Sequence, residues 1–133
     1  MAQVQDIVRD ALGHLGVIDA NNPVNAIDMR DSIRALNLMM RRWEANGMAM
    51  GWSDVANATD PLPVPPEAEQ AIGYNLALRL RSRYRTALDA DVIGMAAAGL
   101  SELRRDRMVE MPLRHERSPL WPDCYDITTD DCY

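Results

Sequence analysis

The sequence predicts an all-α fold, a small four-helix bundle with an extended inter-helix loop and an extended C-terminal arm. Three observations carry that prediction. Apolar residues recur at helical spacing in four separate stretches. Four prolines between Asp60 and Pro66 hold the second and third stretches apart, because proline removes a backbone donor and fixes an extended geometry. The helical pattern stops at Met111, beyond which Pro112, Pro119 and Pro122 break any helix. The boundaries follow: residues 1–110 form a helical domain and residues 111–133 the arm.

Val4, Ile7, Val8, Ala11, Leu12 and Leu15 mark a first helix over about residues 2–15, weakened at its end by Gly13 and Gly16. Asp19 to Pro23 is a turn-forming cluster, and Asn25 is placed to cap the second helix. In that helix Ile33, Leu36, Met40 and Trp43 fall at spacings of three, four and three, widened by Met29 and Met39. Asn46-Gly47 supplies its stop. Such a helix is roughly 30 Å long at about 1.5 Å per residue. Met48 to Trp52 reads as extended and partly buried.

A third helix over about residues 66–85 starts with Pro66 near its first position and Glu67 and Glu69 in its first turn, where the helix dipole favours acids. Ala68, Ile72, Leu76 and Leu80 form its apolar stripe, and its end places Arg79 with Arg83 on one flank and Arg81 with Arg85 on another. The fourth helix, about 89–107, carries the row Val92, Ala96, Gly99 and Leu103, with Ile93, Met95 and Leu100 beside it. Its run of small residues over 94–99 lets it approach a neighbour closely, although each glycine costs helix propensity.

At 133 residues the chain makes one domain with a modest core. Its net charge of −6 is unevenly spread, +3 over residues 79–107 and −4 over residues 108–133. An acidic chain is poorly suited to coating DNA, since phosphate binding needs a net basic face. All 14 basic residues are arginine, which suits multi-donor ion pairs at interfaces; an arginine-biased coding sequence explains it equally well. No apolar run is long enough to span a bilayer, and the first residues show no basic stretch followed by an apolar core, so synthesis inside the cell without a leader is expected. Cys124 and Cys132 fit no common zinc or redox spacing, and a reducing compartment would leave them as thiols.

Ile33, Leu36, Asn37, Met40, Trp43, Ile72, Asn75, Leu76 and Leu80 read as structural core. Asn37 and Asn75 sit on otherwise apolar faces, so their amides need partners: each other, or nearby backbone. The Arg79, Arg81, Arg83 and Arg85 cluster is a solvated face, a contact for an acidic partner or, less favoured, a DNA-phosphate contact. His14 and His115 stand alone, and the acids near the cysteines lack calcium-loop spacing and its glycine. No phosphate loop, nucleophile elbow or paired catalytic carboxylates are present, so no catalytic, cofactor-binding or metal-ligating residue is assigned and the chain is expected not to be an enzyme.

Taken together, ALNLMMRRWEANGM (35–48), PLPVPPEAEQAIGYNLALRL (61–80) and a small-residue helix ending SELRR (101–105) resemble the head-to-tail adaptor family of tailed bacteriophages, also called head-completion proteins, head–tail connectors or tail accessory factors. Trp43, Gly47, Pro66, Glu67, Ala71, Ile72, Asn75, Leu76, Ala77 and Leu80 occupy the family's pattern positions over about residues 2–107. The loop after the first helix is shorter than the family's, and Arg81-Ser82-Arg83 stands where Ala-Pro is familiar. The resemblance implies a ring, usually dodecameric, below the portal protein. That ring extends the DNA channel, helps retain the packaged genome and docks a tail nozzle, stopper or tail-tube protein. It implies a virion protein of the head–tail neck, assembled in the host cytoplasm, with no cofactor and no membrane partner. It also implies an arm that grips the portal or a neighbouring copy, here Leu120, Trp121, Pro122, Tyr125, Ile127 and Tyr133. Gly47 to Trp52 and the proline link would leave the bundle, giving Trp52 and the Arg79, Arg81, Arg83 and Arg85 cluster as contacts to the tail or to neighbouring copies. Two readings compete: a small-terminase-like, DNA-binding packaging subunit using helices three and four, and a cell-wall hydrolase, for which the required carboxylate pair is missing.

Overall fold

Four helices account for nearly all the secondary structure of the computed structural model, which describes residues 1–19, 21–107, 125–126 and 131–132. They are α1 (Val4–His14), α2 (Ala26–Ala45), α3 (Glu69–Tyr84) and α4 (Ala90–Arg107). Two short strands, β1 (Tyr125–Asp126) and β2 (Asp131–Cys132), pair antiparallel with Tyr125 opposite Cys132. The rest of the arm, including Leu120, Trp121, Pro122, Ile127 and Tyr133, lies outside the described residues, as does His115.

α3 is the central element, with α1, α2 and α4 packed against it. Ala71, Ile72, Leu76, Ala77 and Leu80 are buried along it, with Ala71 where α4 comes close at Gly99. α1 buries Val4, Ile7, Val8, Ala11 and Leu12, and α2 buries Ile33, Leu36, Met39, Met40 and Trp43, the faces their apolar spacing defines. Asn25 caps α2 by accepting the Ile27 amide at 3.3 Å. α2 closes through Gly47, whose φ of +91° a side chain rarely tolerates.

Two expectations need correction. The third helix does not start as an α-helix at Pro66; residues Pro66–Ala68 form a 3-10 turn, and the α-helix proper begins at Glu69. Consecutive prolines supply no amides for the first turn, which favours the tighter winding. The linker after Gly47 does not leave the bundle. Met48, Met50, Val55, Leu62 and Val64 are all buried in the common core. The Val4 and Gln5 amides donate to Asp60 and Ala58 carbonyls at 3.1 and 2.9 Å, and the Leu62 amide donates to Ala2 at 3.0 Å. The linker thereby satisfies the first-turn donors that every helix leaves unpaired. Of the two kinds of partner open to Asn37 and Asn75, each other or nearby backbone, the structure uses backbone. Asn37 donates to the Val55 carbonyl of the linker and accepts the Val55 amide, and Asn75 donates to carbonyls of α3 and α4.

Candidate assembly surface

The functional candidates divide between two charged regions of the bundle. The first is the C-terminal end of α3. Arg79, Arg81, Arg83 and Arg85 are all exposed there. Arg83 forms an ion pair with Asp31 of α2, which leaves it less available to a partner. Arg85 ends the helix in the left-handed conformation at φ 52°, a place glycine commonly fills. Behind this edge the Tyr84 hydroxyl is buried without a hydrogen bond among the described residues. Burial, and after it the neighbouring Asp28 carboxylate, push the phenol up to about 12.

The second region gathers carboxylates from three helices. Between α3 and α4 lies a groove of about 230 Å³ lined by Ala71, Tyr74, Met95, Ala98, Gly99 and Leu103, with Glu67, Glu102 and Asp106 among its charged residues and no basic side chain in its lining. A wider groove of about 550 Å³ follows between α1 and the start of α3, holding Asp6, Asp10 and Glu69. The His14 and Tyr74 rings stack between these helices, with centroids 4.2 Å apart and planes inclined by 16°.

On α2 the exposed side presents Ile27 and Leu38 at 57% and 53% exposure, and on α4 Ile93 and Met95 at 45% each, whereas apolar residues of the core stay below a tenth. The expected site residues are thus dispersed. Arg79, Arg81, Arg83 and Arg85 do come together. Trp52 sits elsewhere, half-buried on the linker, where its amide donates to Glu44 Oε1 at 2.7 Å. Next to it Arg41 and Asp54 form a two-bond ion pair, one arm being Nε to Oδ1 at 3.0 Å. Hydrogen bonds from Arg41 hold the Asp54 carboxyl below its ordinary range and raise the guanidinium in turn. Of the arm, only the backbone pairing of Tyr125 and Asp126 with Cys132 and Asp131 is described.

Sequence reasoning missed the α3–α4 groove, which brings Glu67 together with Glu102 and Asp106, 35 and 39 positions further along the chain. It also missed Leu38. The signal there was local: an apolar residue between Arg34 and Arg42 at helical spacing of four, on the side opposite the core stripe. Among the described residues no group of three or more His, Cys, Asp or Glu side chains could hold a metal ion. No helix there is long and apolar enough to cross a membrane.

The model of one protein family, the P22 tail accessory factor, matches residues 1–124. No curated protein matches the chain. A match over nearly the whole length, on a four-helix bundle of the kind the sequence predicts, makes this chain a member of the P22 tail accessory factor family and so a structural component of the phage tail and neck.

Proposed function

We propose that the protein is a head-to-tail adaptor. Copies form a ring, twelve in the usual arrangement, beneath the portal protein; the ring extends the DNA channel, helps retain the packaged genome and receives a nozzle, stopper or tail-tube protein below. The family match over residues 1–124 carries this reading. The role is mechanical and needs no catalytic group. Arg79, Arg81 and Arg85 are exposed on the end of α3 and suit an acidic surface on the portal or on a neighbouring copy, such as that copy's segment 108–133 with its charge of −4. A duplex-reading role for the same cluster is disfavoured, because Arg83 is already engaged by Asp31 and the chain as a whole is acidic. The arm residues Trp121 and Tyr125 are assigned to the portal, as aromatic anchors of the kind that dominate small interfaces. Mixing the purified chain with a portal ring tests the reading. Sedimentation should show the chain moving with the ring at a fixed stoichiometry, and failure to co-sediment at micromolar concentration would sink it.

A further inference from the structure

We infer that the α3–α4 groove is a socket for α2 of a second copy, with Leu38 entering it and Arg34 and Arg42 meeting its carboxylates. The inference rests on the ring reading above and assigns the surfaces through which neighbouring copies touch.

The groove is small and apolar on its floor, where Met95, Ala98 and Gly99 leave room for an aliphatic side chain. Glu67, Glu102 and Asp106 flank that floor. An apolar floor beside a purely acidic set of charges asks for an apolar residue carried between cations. α2 offers that pattern. Arg34, Leu38 and Arg42 succeed each other at intervals of four and form one stripe about 12 Å long at about 1.5 Å per residue. All three are exposed, Leu38 by 53%, and neither arginine has an ion-pair partner among the described residues. The other arginines of α2 are already paired: Arg41 with Asp54, and Arg30 near Asp31.

The chain's own C-terminal segment is the competing occupant, since it follows α4 directly. Its charge of −4 over residues 108–133 would meet three further carboxylates in the groove, whereas the α2 stripe brings two cations. Because the stripe and the socket are different patches, each copy offers both. The contact is heterologous, the type that propagates from copy to copy and closes into a ring when the rotation allows.

Sedimentation velocity of the full chain over a range of concentrations in the presence of a portal ring provides the test, with R34E/R42E and E102R/D106R as variants. All four positions are exposed, so circular dichroism should show unchanged helix in both. The wild type should assemble on the portal ring cooperatively with rising concentration. Each variant alone should need at least about tenfold more protein to assemble, since it sets like charges against each other. An equimolar mixture of the two should recover, because every stripe of one variant then meets the reversed socket of the other. Variants that assemble like the wild type, or a mixture that does not recover, would overturn the assignment. A wild type whose copies load the portal ring independently of one another would also overturn it while leaving the neck reading intact; no binding to the portal ring at all would remove both. A98C in the otherwise natural chain, if it closed onto Cys124 or Cys132 of the same chain on oxidation, would identify the tail as the occupant and reject the second copy.

Discussion

Gly99 of α4 lies against Ala71 of α3 so closely that a Cβ on Gly99 would stand 2.8 Å from the Ala71 methyl and 3.2 Å from its Cα. At this level the two helices meet through backbone. One turn further along α3, Asn75 exploits the short distance, donating both to the Ala71 carbonyl at 2.8 Å and across to the Ala96 carbonyl at 3.0 Å. A longer separation would leave the amide short of α4. The small residue at 99 and the polar residue at 75 are therefore one device, and the groove they help shape is the proposed socket.

Gly99→Ala should destabilise the bundle even though alanine is the better helix former. The propensity gain is about 0.5–1 kcal/mol, and overpacking a tight contact costs about 1–3 kcal/mol, so a net loss of about 1 kcal/mol is expected. Gly94→Ala is the control, since nothing lies within 4 Å of its added methyl. It should stabilise by about 0.5–1 kcal/mol. Urea denaturation of both variants checks the pair; equal shifts in the same direction would show that the Gly99 contact is not tight.

Asn37 ties the linker to α2, donating to the Val55 carbonyl at 2.8 Å and accepting the Val55 amide at 3.1 Å. Asn37→Ala would strand both backbone groups beside a buried valine, and leaving buried polar groups unpaired costs about 1–3 kcal/mol. Hydrogen exchange should accelerate at the Val55 amide and its linker neighbours and leave α1 amides such as Val8 nearly unchanged. Uniform acceleration across the bundle would instead mean that Asn37 matters only to global stability.

The helices were legible in the sequence because their stability comes from a repeated local pattern. Ile33, Leu36, Met40 and Trp43 are buried as their spacing requires. The linker's path was not legible, because the bonds that return it to α1 join the amides of Val4 and Gln5 to backbone carbonyls, groups that nearly every residue carries. α4 misled in another way. Its apolar residues surround much of the helix, yet it packs chiefly on α3, so Ile93 and Met95 stay exposed although they resemble core residues. The socket could not be read at all: Glu67 and Glu102 become neighbours only once Gly99 has fixed how close α3 and α4 stand.

Stability should fall at both ends of the pH scale for separate reasons. Hydrogen bonds from Arg41 depress the Asp54 carboxyl, and the amides of Asn57 and Ala56 depress that of Asp60. A carboxylate with a lowered folded pKa stabilises above its ordinary value of 3.8, and the contribution is lost as pH falls through the folded value. Tyr84 runs the opposite way: its folded pKa of about 12 exceeds the ordinary 10.0, so its contribution is complete below pH 10 and is lost as pH rises toward 12. Urea midpoints measured across pH should drop on both limbs. Asp60→Asn should flatten the acid limb and Tyr84→Phe the alkaline one, and an alkaline limb unchanged by Tyr84→Phe would refute the tyrosine assignment.

Trp52 and the arm separate folding from attachment. Trp52 is half-buried beside the core, with its indole N–H buried and without a hydrogen bond among the described residues. Trp52→Ala should therefore cost about 1–2 kcal/mol of stability, below the value for a fully buried tryptophan, and leave portal binding intact at temperatures where the variant is folded. Deleting residues 112–133 should do the reverse. The core residues among those described all fall between Val4 and Leu103, so the shortened chain should keep its helical circular dichroism and melting temperature. With Trp121 and Tyr125 gone it should no longer co-sediment with a portal ring. If the shortened chain still binds and Trp52→Ala does not, the attachment surface is the linker, and the arm has some other partner.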